Sequence, residues 1–221
     1  MLFQTKLIVG SIAAIGMTCT SNAAMVMMYL NSASGVSSST ESYGAAFEGT
    51  MQWSYNSGST AQITVNLTNT SSVTSYLSAF VVGLQNTSFV LTQTSAPTAF
   101  HQFTTNGALK ANPFGDYDWG SGSTSKFDGG GTGNNGIAQG HSGTWVFSVS
   151  GTASSLAAVN SVAVFNGVNN WDFVAHIKGI SDEGSTVSEK LTSNIMGSVT
   201  PGPATISLLA LAGAMKRRRR G

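Results

Sequence analysis

Apolar and polar residues alternate along several short segments of the chain, which is the pattern of half-buried β-strands. Residues 51–55 read Met-Gln-Trp-Ser-Tyr, and residues 63–68 repeat the alternation as Ile-Thr-Val-Asn-Leu-Thr. The Asn-Ser-Gly-Ser segment at 56–59 has the chemistry of a turn. The pattern therefore predicts a β-hairpin at this point.

Further strands are predicted along the rest of the chain, at 76–84, 89–92, 145–149, 161–165 and 171–180. The first of these is apolar on both faces, as expected of a central strand. No long stretch between the two ends of the chain keeps a helical period. About seven to nine short strands joined by Gly- and Asn-rich turns predict an all-β fold, an antiparallel β-sandwich.

The sandwich is assigned to residues 45–180. Residues 24–44, which include a Ser-rich stretch without periodicity, are predicted to form a flexible lead-in. Residues 181–200 are predicted to form an exposed linker.

Residues 1–23 have the organisation of a secretory signal peptide, so a signal helix is predicted there. Lys6 supplies a positive charge, residues 7–17 are mainly apolar, and Ser21-Asn22-Ala23 offers small residues for cleavage by signal peptidase after Ala23. The apolar run would span only ~16 Å as a helix, which is too short for a stable membrane anchor.

Residues 201–221 combine a Pro-containing turn, a short apolar run and a basic cluster. The turn consists of Pro201, Gly202, Pro203, Ala204 and Thr205. The basic cluster consists of Lys216, Arg217, Arg218, Arg219 and Arg220. The run between them, 206–215, predicts a C-terminal hydrophobic helix, a short transmembrane segment whose basic end stays in the cytoplasm. The alternative interpretation is a disordered basic tail that binds acidic surfaces.

This tail resembles the C-terminal sorting signal of bacterial PEP-CTERM proteins, which begins Pro-Glu-Pro-Ala-Thr. Four of the five positions match, and Gly202 stands where the family usually has glutamate. The resemblance covers about a tenth of the chain. It implies that an exosortase, a membrane-embedded protease, recognises the tail. It also implies transient membrane association through the tail and delivery to the cell surface or the extracellular matrix.

The charge of the region between the two ends argues against a nucleic-acid partner. The whole chain has a net charge of +1, but six of its ten basic residues lie in residues 1–23 and 201–221. Residues 24–200 contain four lysines, no arginine and all nine acidic residues, a net charge of −5, and they contain no cysteine. Such a surface does not attract nucleic acid or an anionic membrane, and it has no disulfide framework.

The least regular part of the sequence, residues 111–140, is the predicted ligand loop. Its aromatic residues Phe114, Tyr117 and Trp119 offer flat faces on which sugar rings could stack. The alternative is that they form a small core of their own. The carboxylates of Asp116, Asp118 and Asp128 are candidate Ca²⁺ ligands, although turn-capping aspartates explain the same spacing.

No sequence motif assigns a catalytic activity. Gly140-His141-Ser142-Gly143 departs from a nucleophile elbow, because Thr144 occupies the second glycine position. The three histidines, His101, His141 and His176, are far apart in sequence, and His176 falls on the polar side of a predicted strand and is expected to be exposed.

The leading hypothesis is a non-enzymatic, exported β-sandwich protein of the cell surface or extracellular matrix, with a structural or adhesive role. The alternative is a carbohydrate-binding module for matrix polysaccharide, centred on the aromatic residues of the ligand loop. A secreted hydrolase that uses the same loop is the third hypothesis.

Overall fold

The chain folds into two antiparallel β-sheets. The structure is a computed structural model and describes residues 24–55, 57–84, 88–128, 134–159, 172–182, 185–193 and 196–200. Sheet A contains, from edge to edge, β12 (Met196–Thr200), β1 (Ala24–Asn31), β2 (Phe47–Tyr55), β3 (Thr60–Asn69), β9 (Ser142–Ser150) and β5 (Val90–Ser95). Sheet B contains β11 (Ser185–Ser193), β10 (Phe173–Asp182), β4 (Tyr76–Val82), β7 (Asp116–Gly122) and β6 (His101–Lys110), with β8 (Ile137–Ala138) also paired to β4.

The inner faces of the two sheets share one hydrophobic core. Phe80 of β4 lies at the centre, with its ring centroid 5.2 Å from that of Trp145 and 6.4 Å from that of Phe147, both on β9. Phe47 of β2 likewise contacts Phe173 of β10 at 5.5 Å. These contacts join residues of opposite sheets, so the sheets pack face to face. The prediction of an antiparallel all-β fold is confirmed.

The predicted hairpin is also confirmed. β2 and β3 pair antiparallel with Tyr55 opposite Ala61, and Gly58 in the turn has a φ of +81°, a conformation that favours glycine. The segment that is apolar on both faces forms β4, which lies between β10 and β7 inside sheet B. Its two faces are both buried because they contact different hydrophobic clusters.

The boundaries predicted for the sandwich are too narrow. Ala24–Asn31, expected in a flexible lead-in, forms β1 and pairs with β2 along its full length. Residues 25–30 of this strand are apolar or aromatic on both faces, so the sequence shows no alternation of apolar and polar residues there. Residues 185–193 and 196–200, expected in a linker, form β11 and β12. Both segments are rich in Ser and Thr and lack a clear alternation of apolar and polar residues, so the sequence pattern did not predict them as strands.

The region 111–140 is more regular than predicted, because it contains β7 and β8. The segments on either side of β7, residues 111–115 and 123–128, contribute to a second hydrophobic cluster on the outer face of sheet B. Its members are Ala79, Val81, Phe103, Ala111, Phe114, Tyr117, Phe127 and Val174, with Leu109 packed against them.

Helices contribute little to the described part of the chain: a 3-10 turn at Ser32–Ser34 and one short α-helix, α1 (Ala153–Ala157). Within those residues no helix has the length and apolar character needed to cross a membrane. The predicted signal helix with its cleavage site at Ala23, the predicted strand at 161–165, and the tail from Pro201 to the basic cluster lie outside the described residues.

Candidate functional site: the polar face of sheet A

The outer face of sheet A presents a lattice of hydroxyl and amide side chains, here called the polar face. Alternation in β2, β3 and β9 sends every second side chain into the core and the others outward. The outward residues on these three strands are Glu48, Thr50, Gln52, Ser54, Thr60, Gln62, Thr64, Asn66, Thr68, Ser142, Thr144, Val146, Ser148 and Ser150. Tyr29 and Asn31 extend the face onto β1.

Strand register arranges these residues in rows across the sheet. Tyr29 lies opposite Thr50, which lies opposite Asn66, which lies opposite Thr144. Within this row the Thr144 hydroxyl donates to Asn66 Oδ1 at 2.7 Å. In the neighbouring row the hydroxyls of Thr68 and Ser142 lie 2.8 Å apart. These cross-strand contacts hold the side chains in fixed positions, as a contact surface requires.

The polar face is nearly free of charge. The six strands of sheet A contain a single charged residue, Glu48. Sheet B carries the histidines and lysines of β6, β10 and β11 and the aspartates of β7. The two outer faces therefore differ in chemistry: that of sheet A is suited to neutral polar partners.

Two shallow grooves lie on the polar face, at opposite ends of β2 and β3. The first, the Tyr29 groove, has a volume of about 430 Å³ and includes Tyr29, Asn31, Glu48, Thr50 and Asn66 in its lining. The second has a volume of about 390 Å³, with a lining that includes Ser54, Gln62, Thr94 and Ser148. Volumes of this size fall in the range of ligand sites, but both grooves are open to solvent.

The predicted aromatic platform does not lie on the surface. Phe114 is 8% exposed, Tyr117 1% and Trp119 2%. Trp119 is on strand β7, not in a loop, and its ring lies 4.8 Å from that of Phe147 in the core. Burial raises the pKa of the Tyr117 hydroxyl, with a smaller contribution from the charge of Asp172. Sugar stacking requires an open ring face, so this part of the prediction is wrong. Phe114 and Tyr117 lie in the second hydrophobic cluster, in agreement with the alternative of a separate small core, whereas Trp119 lies in the main core.

The three candidate calcium ligands have separate surroundings. Asp116 is exposed at the start of β7. The Asp118 carboxylate accepts a 2.6 Å hydrogen bond from the backbone N–H of Leu84, and Asp128 forms a 2.8 Å ion pair with Lys190. Among the described residues no group of three or more His, Cys, Asp or Glu side chains is close enough to hold a metal ion.

His176 is buried, contrary to the expectation of an exposed position. It is 4% exposed on the outer face of sheet B, beneath the segment that ends at Asp128. Its Nδ1–H donates to the carbonyl of Phe127 at 2.9 Å, because a carbonyl oxygen can only accept. Burial lowers the pKa of His176 to about 4, and the nearby Lys178 and Lys190 act in the same direction. The neutral ring therefore has a structural role: its hydrogen bond to Phe127 attaches the segment around residues 127–128 to sheet B.

The residues considered for a hydrolase do not form a catalytic arrangement in the described regions. His141 and Ser142 are both exposed at the start of β9, where the Ser142 hydroxyl pairs with Thr68. His101 is exposed at the start of β6, in the other sheet. The candidate catalytic groups are thus distributed over both sheets.

The residues that sequence reasoning missed are Tyr29 and Glu48. Tyr29 was placed in a lead-in segment, and Glu48 precedes the first alternating run. A signal did exist: the outward positions of the predicted hairpin, Gln52, Ser54, Thr64 and Asn66, are uncharged and polar. Hydroxyl and amide residues at consecutive outward positions indicate a solvent-facing surface with one uniform chemistry.

Comparison with known proteins adds no assignment. No protein-family model matches this sequence, and no curated protein matches it significantly.

Proposed function

We propose that this chain is an exported, non-catalytic β-sandwich protein of the bacterial cell surface or extracellular matrix, with a structural or adhesive role. The polar face of sheet A is its contact surface. Residues 1–23 direct export, and the tail at 201–221 holds the chain at the membrane until an exosortase acts on it. The export part of this proposal rests on the resemblance of the tail, including Pro201 and Pro203, to the PEP-CTERM signal.

The observation that carries the adhesive role is the chemistry of the polar face. Hydroxyl and amide groups exchange hydrogen bonds with water and with polar polymers at similar energy, so contacts form without a large desolvation cost. The absence of lysine and arginine from all six strands of sheet A also favours neutral partners over nucleic acid or anionic lipid.

The sorting part is tested by deleting residues 216–221 in a bacterium that has an exosortase. The full chain is expected to reach the surface fraction with a mass reduced at the C-terminus, whereas the deletion variant is expected to accumulate in the membrane or be lost. Unchanged localisation and unchanged processing in the deletion variant would refute this part.

The adhesive part is tested separately, with charges placed on the polar face. The double variant Gln62→Lys, Asn66→Lys alters two exposed residues of β3, and Ser125→Lys alters an exposed residue near sheet B as the matched control. Retention in the extracellular matrix is expected to fall for the double variant and to stay unchanged for the control. Equal retention of both variants would remove the polar face from the proposal.

A further inference from the structure

We infer that the Tyr29 groove binds a chain of neutral polysaccharide. This inference rests on the proposed function and names the partner of the polar face. The predicted sugar platform on the other sheet is buried, so a carbohydrate site would have to be built from different residues. The Tyr29 groove contains the side-chain types that such a site needs.

Tyr29 provides an exposed aromatic surface at one end of the groove. Its side chain is 51% exposed, and among the described residues only Val36 and Val90 are other large apolar side chains with comparable exposure. Tyr29 is fixed on a paired strand, opposite Thr50 on one side and Met196 on the other. Because the backbone of Tyr29 is already ordered by strand pairing, a ligand that stacks on the ring does not have to order this part of the chain. The C–H face of a sugar ring is such a ligand.

Glu48 and Asn66 supply hydrogen-bonding groups beside this aromatic ring. Glu48 is exposed, and within the described residues no cation lies within ion-pair distance of its carboxylate. Its oxygens can therefore accept hydrogen bonds from neighbouring sugar hydroxyls. Asn66 accepts from Thr144 through Oδ1, and because its side chain is exposed, its Nδ2 hydrogens can donate to a ligand. Donors and acceptors are thus both present within one groove.

The chemistry of the groove selects against other polymers. A nucleic acid or an acidic polysaccharide needs cations, and sheet A has none on its strands. A protein partner needs a largely apolar interface core, whereas most residues that line the groove are polar: Asn31, Glu48, Thr50, Asn66 and Thr68. A neutral glycan, which combines hydroxyl groups with weakly apolar C–H faces, fits both features.

The shape of the face favours a polymer over a free sugar. Small-molecule sites enclose most of their ligand, but both grooves here are shallow and open. Both grooves lie on β2 and β3. Thr50 in the first groove and Ser54 in the second are four residues apart on β2, a distance of about 13 Å at ~3.3 Å per residue. An extended chain that runs along β2 and β3 would contact both, so many weak contacts would add up to useful affinity.

Affinity gel electrophoresis of the full chain in mild detergent tests this inference. The probes are mixed-linkage β-glucan, galactomannan and dextran, with alginate as the anionic comparison. We expect retardation by at least one neutral polysaccharide and none by alginate. Tyr29→Ala is expected to weaken binding about tenfold or more, and Glu48→Gln is expected to weaken it as well, whereas Tyr29→Phe keeps the ring and most of the affinity.

Val36→Ala is the matched control, because it shortens another exposed apolar residue that lies outside sheet A. Thermal melts of all variants separate loss of binding from loss of folding. Absence of retardation by every neutral polysaccharide, stronger retardation by alginate, or unchanged affinity in Tyr29→Ala each overturns the inference. Retention of Tyr29→Ala in the extracellular matrix distinguishes failure of this inference from failure of the proposed function. If the variant no longer binds glycan but is retained normally, the proposed adhesive role stands and only the neutral polysaccharide is removed as its ligand.

Discussion

Met25, near the beginning of β1, lies directly opposite Thr200, the last residue of β12. The two strands are antiparallel, so the chain enters sheet A and leaves it at the same end. Residues 23 and 201, where the predicted signal peptide ends and the predicted sorting tail begins, are therefore attached to neighbouring strands. Both predicted targeting segments are thus connected to the same end of sheet A, and the polar face extends away from that end.

This arrangement predicts different results for two truncations. A chain that stops after Thr200 retains β12 and is expected to keep the thermal stability of the full-length protein. A chain that stops after Ser193 lacks β12 and leaves one edge of β1 without its paired strand. We expect this shorter chain to melt at a lower temperature and to aggregate, because an unpaired edge is a template for pairing with other chains.

Circular dichroism melts and light scattering of the two truncated chains provide the measurement. Equal melting temperatures and equal solubility would mean that β12 contributes nothing to the sheet, as expected of the linker that the sequence alone predicted for this region.

The alternating strands β2 and β3 were predictable from the sequence together with their orientation, whereas β1 was not. In β2 and β3 the alternation of residues such as Trp53 and Ser54 reveals both the strand and its orientation. In β1 the outward residue Met27 and the core residue Met28 are identical, so no pattern distinguishes the faces. The exposure of Tyr29 depends on the pairing of β1 with β2, which is a non-local property.

The aromatic residues of region 111–128 show a second limit. Trp119 stands among Asp, Gly and Ser residues, a composition typical of loops. The structure places those small residues where β7 approaches β4 closely: a Cβ atom on Gly120 would lie 2.1 Å from the carbonyl oxygen of Phe80. Glycine in this strand therefore reflects close backbone packing rather than a turn. Sequence composition alone cannot separate these two causes.

Substitution of Trp119 is expected to affect stability and not ligand binding. Trp119→Ala removes a buried ring that contacts both Phe147 and Phe80, so the free energy of unfolding should fall by about 3–5 kcal/mol. Trp119→Phe should cost less, because part of the ring remains. Tyr29→Ala, at an exposed position, should change stability by no more than about 0.5 kcal/mol. Urea denaturation provides the values, and a larger loss for Tyr29→Ala than for Trp119→Ala would contradict the burial of Trp119.

Asn69 is expected to be the most sensitive polar residue of sheet A. It is fully buried at the end of β3, where Nδ2 donates to the carbonyls of Ser75 and Ile137 at 3.1 and 3.0 Å. Its Oδ1 accepts a 2.6 Å hydrogen bond from the hydroxyl of Ser71. Asn69→Ala removes these three buried hydrogen bonds together, so we expect the free energy of unfolding to fall by about 2–4 kcal/mol.

Asn66→Ala, three residues earlier on the exposed face of the same strand, is the matched control for this substitution. Asn66→Ala should change the free energy of unfolding by no more than about 0.5 kcal/mol. Similar losses for the two variants, measured by urea denaturation, would show that Asn69 does not act as a buried hydrogen-bonding centre.

His176 is expected to make stability increase with pH between about 4 and 6.5. Burial lowers its folded-state pKa to about 4, against an ordinary value of 6.5. In that interval the unfolded chain binds a proton and the folded chain does not, so acid favours unfolding. The full contribution, on the order of 3 kcal/mol, is present above pH 6.5 and is lost as the pH falls to 4.

The measurement is the free energy of unfolding as a function of pH for the wild type and His176→Asn. Asparagine keeps a donor for the carbonyl of Phe127 but does not titrate, so the difference between the two proteins should grow as the pH rises from 4 to 6.5. His101→Asn makes the same chemical change at an exposed position and serves as the control. If the stability of the wild type and of His176→Asn changed with pH in parallel, His176 would not be the source of the pH dependence.

Glu189 is expected to have the opposite pH dependence. Its side chain is buried on β11, where Oε1 accepts a hydrogen bond from the Ser37 hydroxyl and Oε2 has no hydrogen-bond partner among the described residues. Burial raises the pKa of the Glu189 carboxyl, although the Ser37 hydroxyl lowers it in part. The folded state therefore favours the protonated acid, and this contribution to stability is present below the ordinary pKa and is lost as the pH rises through the folded-state value.

Glu189→Gln keeps the acceptor for Ser37 and removes the buried charge, so it should raise the melting temperature at pH 8, by about 2–4 °C for each kcal/mol recovered. The gain should shrink at pH 4, where the wild-type carboxyl is also uncharged. Glu41→Gln, on an exposed residue, is the control and should change little at either pH. A variant less stable than the wild type at pH 8 would mean that the carboxylate is stabilised in the folded protein by a partner stronger than Ser37.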